Sequence, residues 1–219
     1  MAESLPLFPL GTVFFPGMVL PLHIFEPRYQ LLMEHRLKAD PAFGIVLTKH
    51  GREVGDQPET YAVGTAASLL RVLRYEDGRY DIAVRGGRRF RIQSSDWSQH
   101  YLTASIEWIA AGEEIASGSG RLLVQVKRAF NDYIDALERS ASVSVDRVEL
   151  GDDPEVVAYA IGLAMPFDVV QRQRLLEAVS IEARLDELLR ALRRERELLV
   201  ATGIVGAAID HPGARFSTN

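Results

Sequence analysis

The chain has 219 residues, of which 47% are hydrophobic and 25% are charged, a composition typical of a folded protein with one large or two small domains. The formal net charge of −5 argues against a general nucleic-acid binder, because such proteins usually carry a basic surface. The absence of cysteine excludes disulfides, thiol nucleophiles, thiolate metal sites and iron–sulfur clusters, and it is typical of a reducing cytoplasm.

The chain begins with an apolar, proline-rich stretch that runs from Leu5 to Tyr29. It has no Lys or Arg before Arg28, and prolines interrupt it every few residues. A signal peptide or a spanning helix is a poor interpretation, because each interior proline costs a helix about 3 kcal/mol. The prolines divide the run into pieces of strand length. The stretch therefore predicts short buried strands joined by turns, with Pro16-Gly17 as the clearest corner.

A helix is predicted to start at Pro27, because the missing amide hydrogen of proline is tolerated at the first helical position. Apolar residues recur at helical spacing as far as Leu37, and Asp40-Pro41 predicts the end of the helix. The apolar segment 43–48 then predicts a buried strand. His23, inside the apolar run, is predicted to be a core or turn histidine with its hydrogen bonds satisfied.

The segment that follows is the most β-like part of the chain. Strands are predicted at residues 61–70, 71–75, 80–85, 90–93 and 101–109. Asp77-Gly78 predicts a tight hairpin, because both residue types tolerate positive φ. Gly86-Gly87 predicts a bend or a bulge.

The composition changes at residues 110–120, a small, polar and glycine-rich segment that predicts a linker. Four helices are predicted beyond it. Asp153 before Pro154 marks the start of the second, and Asp168 with Gln171 forms a capping-box pair for the third. Ser180 is the predicted cap of the fourth.

These elements predict an α+β chain with a β-rich lobe at residues 1–112 and a helical lobe at residues 113–200. Residues 201–219 lack periodicity and predict a loosely ordered tail.

The chain lacks the sequence patterns that catalysis usually requires. No glycine-rich phosphate loop precedes any of its lysines, and no nucleophile elbow is present. Its histidines have no metal-binding spacing. We therefore expect no enzymatic activity, catalytic residue, metal or cofactor.

A cluster of arginines lies in the predicted hairpin region 71–91, interleaved with aromatic residues. The cluster consists of Arg74, Arg79, Arg85, Arg88, Arg89 and Arg91, and the candidate nucleic-acid contacts are Arg85, Arg88, Arg89 and Arg91. Such a mixture can bind a phosphate backbone and stack bases, which gives an alternative hypothesis of RNA binding. The simpler interpretation is that these charges cover the outward faces of strands and prevent edge pairing. A second basic stretch, residues 190–196, is interspersed with acidic residues and predicts a solvated helix face.

A set of motifs spread along the chain points to a family. The matching segments are Pro6-Leu7-Phe8-Pro9-Leu10, Phe15-Pro16-Gly17, Pro21-Leu22, Ile24-Phe25-Glu26-Pro27-Arg28-Tyr29, 43–47, 53–55, 63–67, 77–80, 84–86, 89–92, Gln173, 175–177 and 184–185. Together they resemble the N-terminal domain of Lon proteases, and most closely the stand-alone bacterial proteins of that family. The resemblance covers residues 4–200, and the opening motif is its most specific part.

This resemblance implies a twisted, PUA-like β-pseudobarrel with one or two helices, followed by a C-terminal helical bundle. In full-length Lon proteases this domain helps to recognise and hold unfolded protein substrates. The ATPase and Ser-Lys peptidase modules have no counterpart in this chain, so the resemblance implies a binding module without ATPase or peptidase activity. The alternative that remains open is the RNA-binding role that PUA-like domains often have.

The partners we expect are unfolded or peptide segments of client proteins, bound as an added strand or in an apolar cleft, and a protease is a further candidate. The predicted peptide contacts are apolar residues of the opening stretch: Phe14, Phe15, Met18, Phe25 and Tyr29. Nucleic acid is disfavoured and no membrane is expected. We expect a cytoplasmic protein that is a monomer or a weak homodimer.

Overall fold

The computed structural model describes residues 3–38, 42–50, 57–110, 119–141, 144–147, 149–203 and 215–216. Within these residues, the elements in chain order are β1 (Glu3–Leu10), β2 (Met18–Ile24), α1 (Pro27–Lys38), β3 (Phe43–His50), β4 (Glu59–Arg74), β5 (Tyr80–Asp96), β6 (Thr103–Trp108), α2 (Ser119–Ala141), α3 (Pro154–Ala164), α4 (Val169–Glu177), α5 (Ile181–Thr202) and β7 (Arg215–Phe216). The fold of the described residues is therefore mixed, with six strands and one helix in the first half, and four helices and the short strand β7 in the second.

The strands form a single sheet with the order β4-β3-β1-β6-β5-β2-β7. β4 also pairs with β5, so the five strands β1, β3, β4, β5 and β6 close on themselves. β5 pairs with β4 along one edge and with both β2 and β6 along the other. Closure gives each ring strand a partner on both sides, whereas β2 is added outside the ring.

The opening stretch forms β1, a turn and β2. The turn spans Phe15 to Met18, and the amide of Met18 donates a hydrogen bond to the carbonyl of Phe15 at 3.1 Å. Pro16 presets the backbone angle of the second position, and Gly17 has a φ of 78°, which the third position of a type II turn requires. The predicted corner at Pro16-Gly17 is confirmed.

The Phe15–Met18 turn packs directly on the backbone of β5. The amide of Gly17 donates to the carbonyl of Gly86 at 2.8 Å. A Cβ on Gly86 would lie 2.1 Å from the carbonyl oxygen of Phe15, so this position requires glycine. The β4–β5 register shifts opposite this point, which confirms the predicted bend or bulge at Gly86-Gly87.

β4 and β5 are each longer than the sequence predicts. Each contains two of the predicted strands, because a bulge shifts the register without ending the hydrogen-bonded ladder. The loop between them also differs from the predicted two-residue hairpin. The amide of Tyr75 donates to the carbonyl of Arg79 at 2.9 Å, which leaves three residues in the loop. Gly78 alone has a φ of 86°, the arrangement of a type I turn followed by a left-handed glycine.

The second half of the chain is helical, and α5 contacts α2, α3 and α4. The predicted helix starts are confirmed by their hydrogen bonds. The side chain of Asp153 accepts from the first-turn amides of α3. Asp168 and Gln171 form a reciprocal capping box at α4, and the hydroxyl of Ser180 accepts from the amide of Ala183 at 3.1 Å.

The chain divides into two compact units. The β unit is Met1–Ala111 with His211–Asn219, and the helical unit is Gly112–Asp210. The predicted boundary of the tail at residue 200 falls inside α5, so the described part of that tail consists of residues 201–203 and β7. The rest of the tail beyond Gly203 and most of the predicted linker lie outside the described residues.

The described part of the chain contains no helix that is both long and apolar enough to cross a membrane.

Candidate functional site

The structure separates the five predicted peptide-contacting residues into two groups. Phe14, Phe15, Met18 and Tyr29 are interior side chains with at most 3% of their surface exposed. Phe25 is 50% exposed. Their predicted contact with a peptide stays a prediction, and Phe25 is the member of the set that solvent reaches.

Phe25 is held at a fixed point between two regular elements. It follows the last residue of β2 and precedes α1 by one residue. Its carbonyl accepts a hydrogen bond from Nε2 of Gln30 at 3.1 Å. The carbonyl of Glu26 accepts from the amides of Tyr29 and Gln30 at 3.0 and 2.9 Å, which forms the first turn of α1. The exposed ring is therefore carried by an ordered backbone.

The ring of His23 lies beside Phe25, and the ring of Tyr75 lies beside His23. The ring of His23 stacks on that of Phe25, with centroids 6.1 Å apart and planes inclined by 23°. Tyr75 meets His23 edge-on, with centroids 6.4 Å apart. Asp81 binds both neighbours, because one oxygen lies 2.6 Å from Nδ1 of His23 and the other accepts the hydroxyl of Tyr75. One carboxylate thus orients two rings.

Strand register brings these side chains to one face of the sheet. His23 of β2 lies opposite Asp81 of β5, and Asp81 lies opposite Leu73 of β4. Residues paired across adjacent strands point to the same side, so Leu73, which is 45% exposed, joins this face. We call His23, Phe25, Leu73, Tyr75 and Asp81 the aromatic surface.

Hydrogen bonding favours an ionised Asp81 and a neutral Tyr75 on the aromatic surface. The bond from Tyr75, followed by the bond from His23, lowers the pKa of Asp81 below its usual value. The bond to Asp81 raises the pKa of Tyr75. At neutral pH, the surface therefore presents ring faces, a neutral hydroxyl and one carboxylate, which can contact apolar and cationic groups.

The sequence did not indicate the aromatic surface. His23 was predicted to be a core or turn histidine, but its side chain is 47% exposed on β2 and bonded to Asp81. The two residues are 58 positions apart, so no local pattern connects them. The alternation of polar residues in β5 was the available signal, since it places Asp81 on the solvent side.

The four arginines of the RNA-binding alternative do not form one exposed surface. Arg89 is 8% exposed, and Arg85 is half-buried opposite Val19. Arg88 lies over the ring of Trp108, with its guanidinium carbon 4.8 Å from the centroid. Arg91 is exposed, and its cross-strand partner on β6 is an acidic residue. The geometry thus gives no support to a continuous phosphate-binding surface.

A family model described as the ATP-dependent protease La (LON) substrate-binding domain matches residues 4–194 of the chain. The chain belongs to this family. The resemblance stated from the sequence motifs is thereby confirmed, and no comparison supports the RNA-binding alternative.

Curated relatives of the family include Lon protease 1 of Hydrogenovibrio crunogenus, which is 26% identical over 86% of the chain. Lon protease 2 of Sorangium cellulosum is 30% identical over 90% of the chain. The aligned region covers 23% and 25% of these two proteins, respectively. The chain therefore spans about a quarter of the length of the curated relatives it matches.

Solved structures agree with this assignment. The crystal structure of a Lon N-terminal domain protein from Xanthomonas campestris matches with a TM-score of 0.63 and 27% identity, over 86% of this chain and 98% of that one. The N-terminal domain of Mycobacterium avium complex Lon protease matches with a TM-score of 0.64 over 87% of this chain and 98% of that one. Its identity is 22%, so it supports the fold alone.

Proposed function

We propose that the chain is a non-catalytic module that binds unfolded or peptide segments of client proteins through the aromatic surface. The observation that carries the proposal is an exposed, pre-oriented group of rings on a chain that belongs to a substrate-binding-domain family. Exposed apolar patches of this kind mark interaction sites, because leaving such side chains in water is unfavourable. Delivery of the bound segment to a protease is part of the same proposal.

A more specific assignment of the two units is consistent with this function. We propose that the closed ring of strands is a PUA-like pseudobarrel and that the four helices form the helical bundle of the family. In this arrangement the buried residues Phe14, Phe15, Met18 and Tyr29 serve as the rigid interior beneath the surface. Tyr29, for example, packs edge-on against Phe8 with ring centroids 4.0 Å apart.

The outer edge of β2, next to the aromatic surface, offers backbone hydrogen-bonding groups to an extended peptide. β2 pairs with β5 on one side, and on its other side β7 pairs only with Met18 and Val19. The outer edge of β2 beyond Val19 has no strand partner in the described part of the chain. A client segment added there would run toward Phe25, gaining main-chain hydrogen bonds from the edge and side-chain contacts from the rings.

The test is direct binding of a permanently unfolded, fluorescently labelled polypeptide, measured by anisotropy, with the folded form of the same polypeptide as a comparison. We expect the triple variant F25S/L73S/Y75S to bind the unfolded form at least about tenfold more weakly, because apolar burial at the rings is lost. The matched control is V124S/V179S/V200S, which removes three exposed apolar side chains from the helical unit.

Equal binding by the wild-type chain and F25S/L73S/Y75S would reject the aromatic surface as the contact. Equal binding of the folded and unfolded polypeptide would reject the function itself. Thermal unfolding of both triple variants checks that the substitutions, all at exposed positions, leave the fold intact.

A further inference from the structure

A small cleft lies between α4 and α5 in the helical unit. It has a volume of about 140 Å³, and its base includes Phe167 and Leu175, which are 4% and 1% exposed. Pockets for drug-sized ligands typically measure about 300–1,000 Å³. This cleft is therefore of a size for one side chain and not for a cofactor.

Three arginines surround the opening of the cleft: Arg174 of α4, and Arg190 and Arg194 of α5. Arg190 forms ion pairs with Asp186 at 3.4 Å and with Glu187 at 3.2 Å. Among the described residues, no carboxylate lies within ion-pair distance of Arg174 or Arg194. We call this feature the arginine cleft. Arg174 and Arg194 on its rim are both exposed to solvent.

Further arginines follow on α5. Arg193 and Arg196, with Arg128 of α2, line a second cleft of about 470 Å³, to which Asp132 and Glu197 contribute negative charge. Glu195, which the sequence places among the acidic residues of this helix, is 7% exposed. Burial, and after it the charge of Glu195, raises the pKa of Tyr133, so Glu195 lies close to that interior ring. It therefore points inward and leaves the outer face of α5 more basic than the residue count indicates.

We propose that the arginine cleft binds acidic–apolar segments of client polypeptides. One apolar side chain enters the cleft between Phe167 and Leu175, and neighbouring Asp or Glu carboxylates pair with Arg174 and Arg194. Guanidinium groups bind carboxylates through paired hydrogen bonds, which gives both affinity and orientation. This inference rests on the proposed client-binding function. It adds that the helical unit binds acidic–apolar segments, which the aromatic surface does not select.

The chemistry of the arginine cleft favours a peptide over a nucleic acid. Single-stranded nucleic acids bind to exposed aromatic rings that stack on bases. The ring of Phe167 is 4% exposed at the base of the cleft, too little for a base to stack on. An apolar base with a cationic rim instead matches a side chain such as leucine flanked by carboxylates.

The experiment measures anisotropy of a labelled, C-terminally amidated peptide that carries one Leu flanked by Glu, so that side chains supply its only carboxylates. We expect R174Q/R194Q to bind it about tenfold more weakly than the wild-type chain. The matched control is R121Q/R139Q, which removes the same charge from α2. Arg139 lies in the last turn of α2, as Arg174 lies in the last turn of α4.

Two further probes separate the parts of the proposal. Replacing each Glu of the peptide by Gln should weaken binding to the wild-type chain, and replacing Leu by Ser should do the same. Equal binding of the Leu and Ser peptides, or equal binding by R174Q/R194Q and wild type, overturns the proposal. Displacement of the peptide by single-stranded oligonucleotide at lower concentration than by unlabelled peptide also overturns it.

The unfolded polypeptide used to test the aromatic surface shows whether a negative result rejects the arginine cleft alone or the client-binding function as a whole. If the wild-type chain binds that polypeptide but R174Q/R194Q still binds the acidic peptide normally, the arginine cleft alone is rejected. If the wild-type chain binds neither probe, the client-binding function is rejected.

Discussion

Gly86 is the residue of β5 on which the Phe15–Met18 turn of the opening stretch packs. Its carbonyl accepts the amide of Gly17, and its missing side chain makes room for the carbonyl oxygen of Phe15. We expect G86A to lower the free energy of unfolding by about 3 kcal/mol, because a Cβ 2.1 Å from a backbone oxygen forces the turn away from β5.

The neighbouring glycine provides the control for G86A. A Cβ on Gly87 would lie 3.4 Å from the nearest atom, the carbonyl oxygen of Ala66, which is an ordinary contact. We expect G87A to change stability by no more than about 1 kcal/mol. Urea unfolding followed by intrinsic fluorescence measures both variants, and equal losses would show that the close approach at Gly86 is not the cause.

Asp81 is the residue that connects the rings of the aromatic surface. Its carboxylate accepts the hydroxyl of Tyr75, and this bond raises the pKa of Tyr75. We expect D81N to move the ionisation of Tyr75 to lower pH, because the carboxylate that stabilises the neutral phenol is gone. An NMR titration of the tyrosine ring carbons, with Y75F to assign the signal, measures the shift.

The control for D81N is D96N, in which the carboxylate removed is bonded to Ser98. An unchanged Tyr75 titration in D81N, or an equal change in D96N, would contradict the role given to Asp81.

The lowered pKa of Asp81 also determines how this carboxylate contributes to the free energy of unfolding as the pH changes. Its contribution is present above the unfolded-state pKa and is lost as the pH falls through the lower folded-state value.

At the scale of elements, Arg184 of α5 connects three helices. Its side chain is 1% exposed, and Nε donates to the carbonyl of Leu175 at 3.0 Å at the end of α4. Nη1 lies 3.5 Å from Glu155 of α3, and the guanidinium carbon is 4.8 Å from the ring centroid of Tyr159. A single buried cation thus satisfies groups on both neighbouring helices.

We expect R184A to lower the free energy of unfolding by about 3 kcal/mol, because it leaves buried carbonyls unpaired and opens a cavity. The control R190A removes an exposed arginine from the same helix and should cost no more than about 1 kcal/mol. Denaturation followed by far-ultraviolet circular dichroism measures both. Similar losses in the two variants would contradict a special role for Arg184.

Local chemistry explains which elements the sequence could predict. The caps at Asp153, Asp168 and Ser180 act within three residues, so the helix starts were predictable from the residues alone. The corner at Pro16-Gly17 was predictable for the same reason, since the turn type demands those residues. The lengths of β4 and β5 were not predictable. The residue pattern changes within each strand and predicts a break there, whereas a bulge keeps the hydrogen-bonded ladder intact.

The candidate site was less predictable because it depends on long-range pairing. The opening stretch contains Phe14, Phe15 and Phe25 in similar apolar surroundings, yet only Phe25 is exposed. Its exposure follows from the position where β2 leaves β5 and α1 begins, which is a property of the assembled sheet. The pairing of His23 with Asp81 depends on the same register and has no sequence signal of its own.

At the scale of the whole molecule, the distribution of charge matters more than its sum. The chain has a formal net charge of −5, which argues against polyanion binding. Among the described residues, the rim of the arginine cleft nevertheless carries cations without an ion-pair partner, since Glu195 faces inward and Glu187 is engaged by Arg190. The two proposed client contacts therefore differ in physical character: one is aromatic and the other is electrostatic.

This difference predicts that salt affects the two contacts differently. Raising the ionic strength from about 0.01 M to about 1 M shortens the Debye length from about 30 Å to about 3 Å. We expect binding of the acidic peptide to weaken by at least about tenfold over this range, since exposed ion pairs are screened. Binding of an uncharged unfolded polypeptide to the aromatic surface should stay the same or strengthen, because apolar burial is not screened. In R174Q/R194Q the salt dependence for the acidic peptide should flatten, whereas R121Q/R139Q should keep it. Binding titrations at four or more salt concentrations measure how the affinity for each probe changes with salt. The same salt dependence for both probes would mean that a single surface binds them.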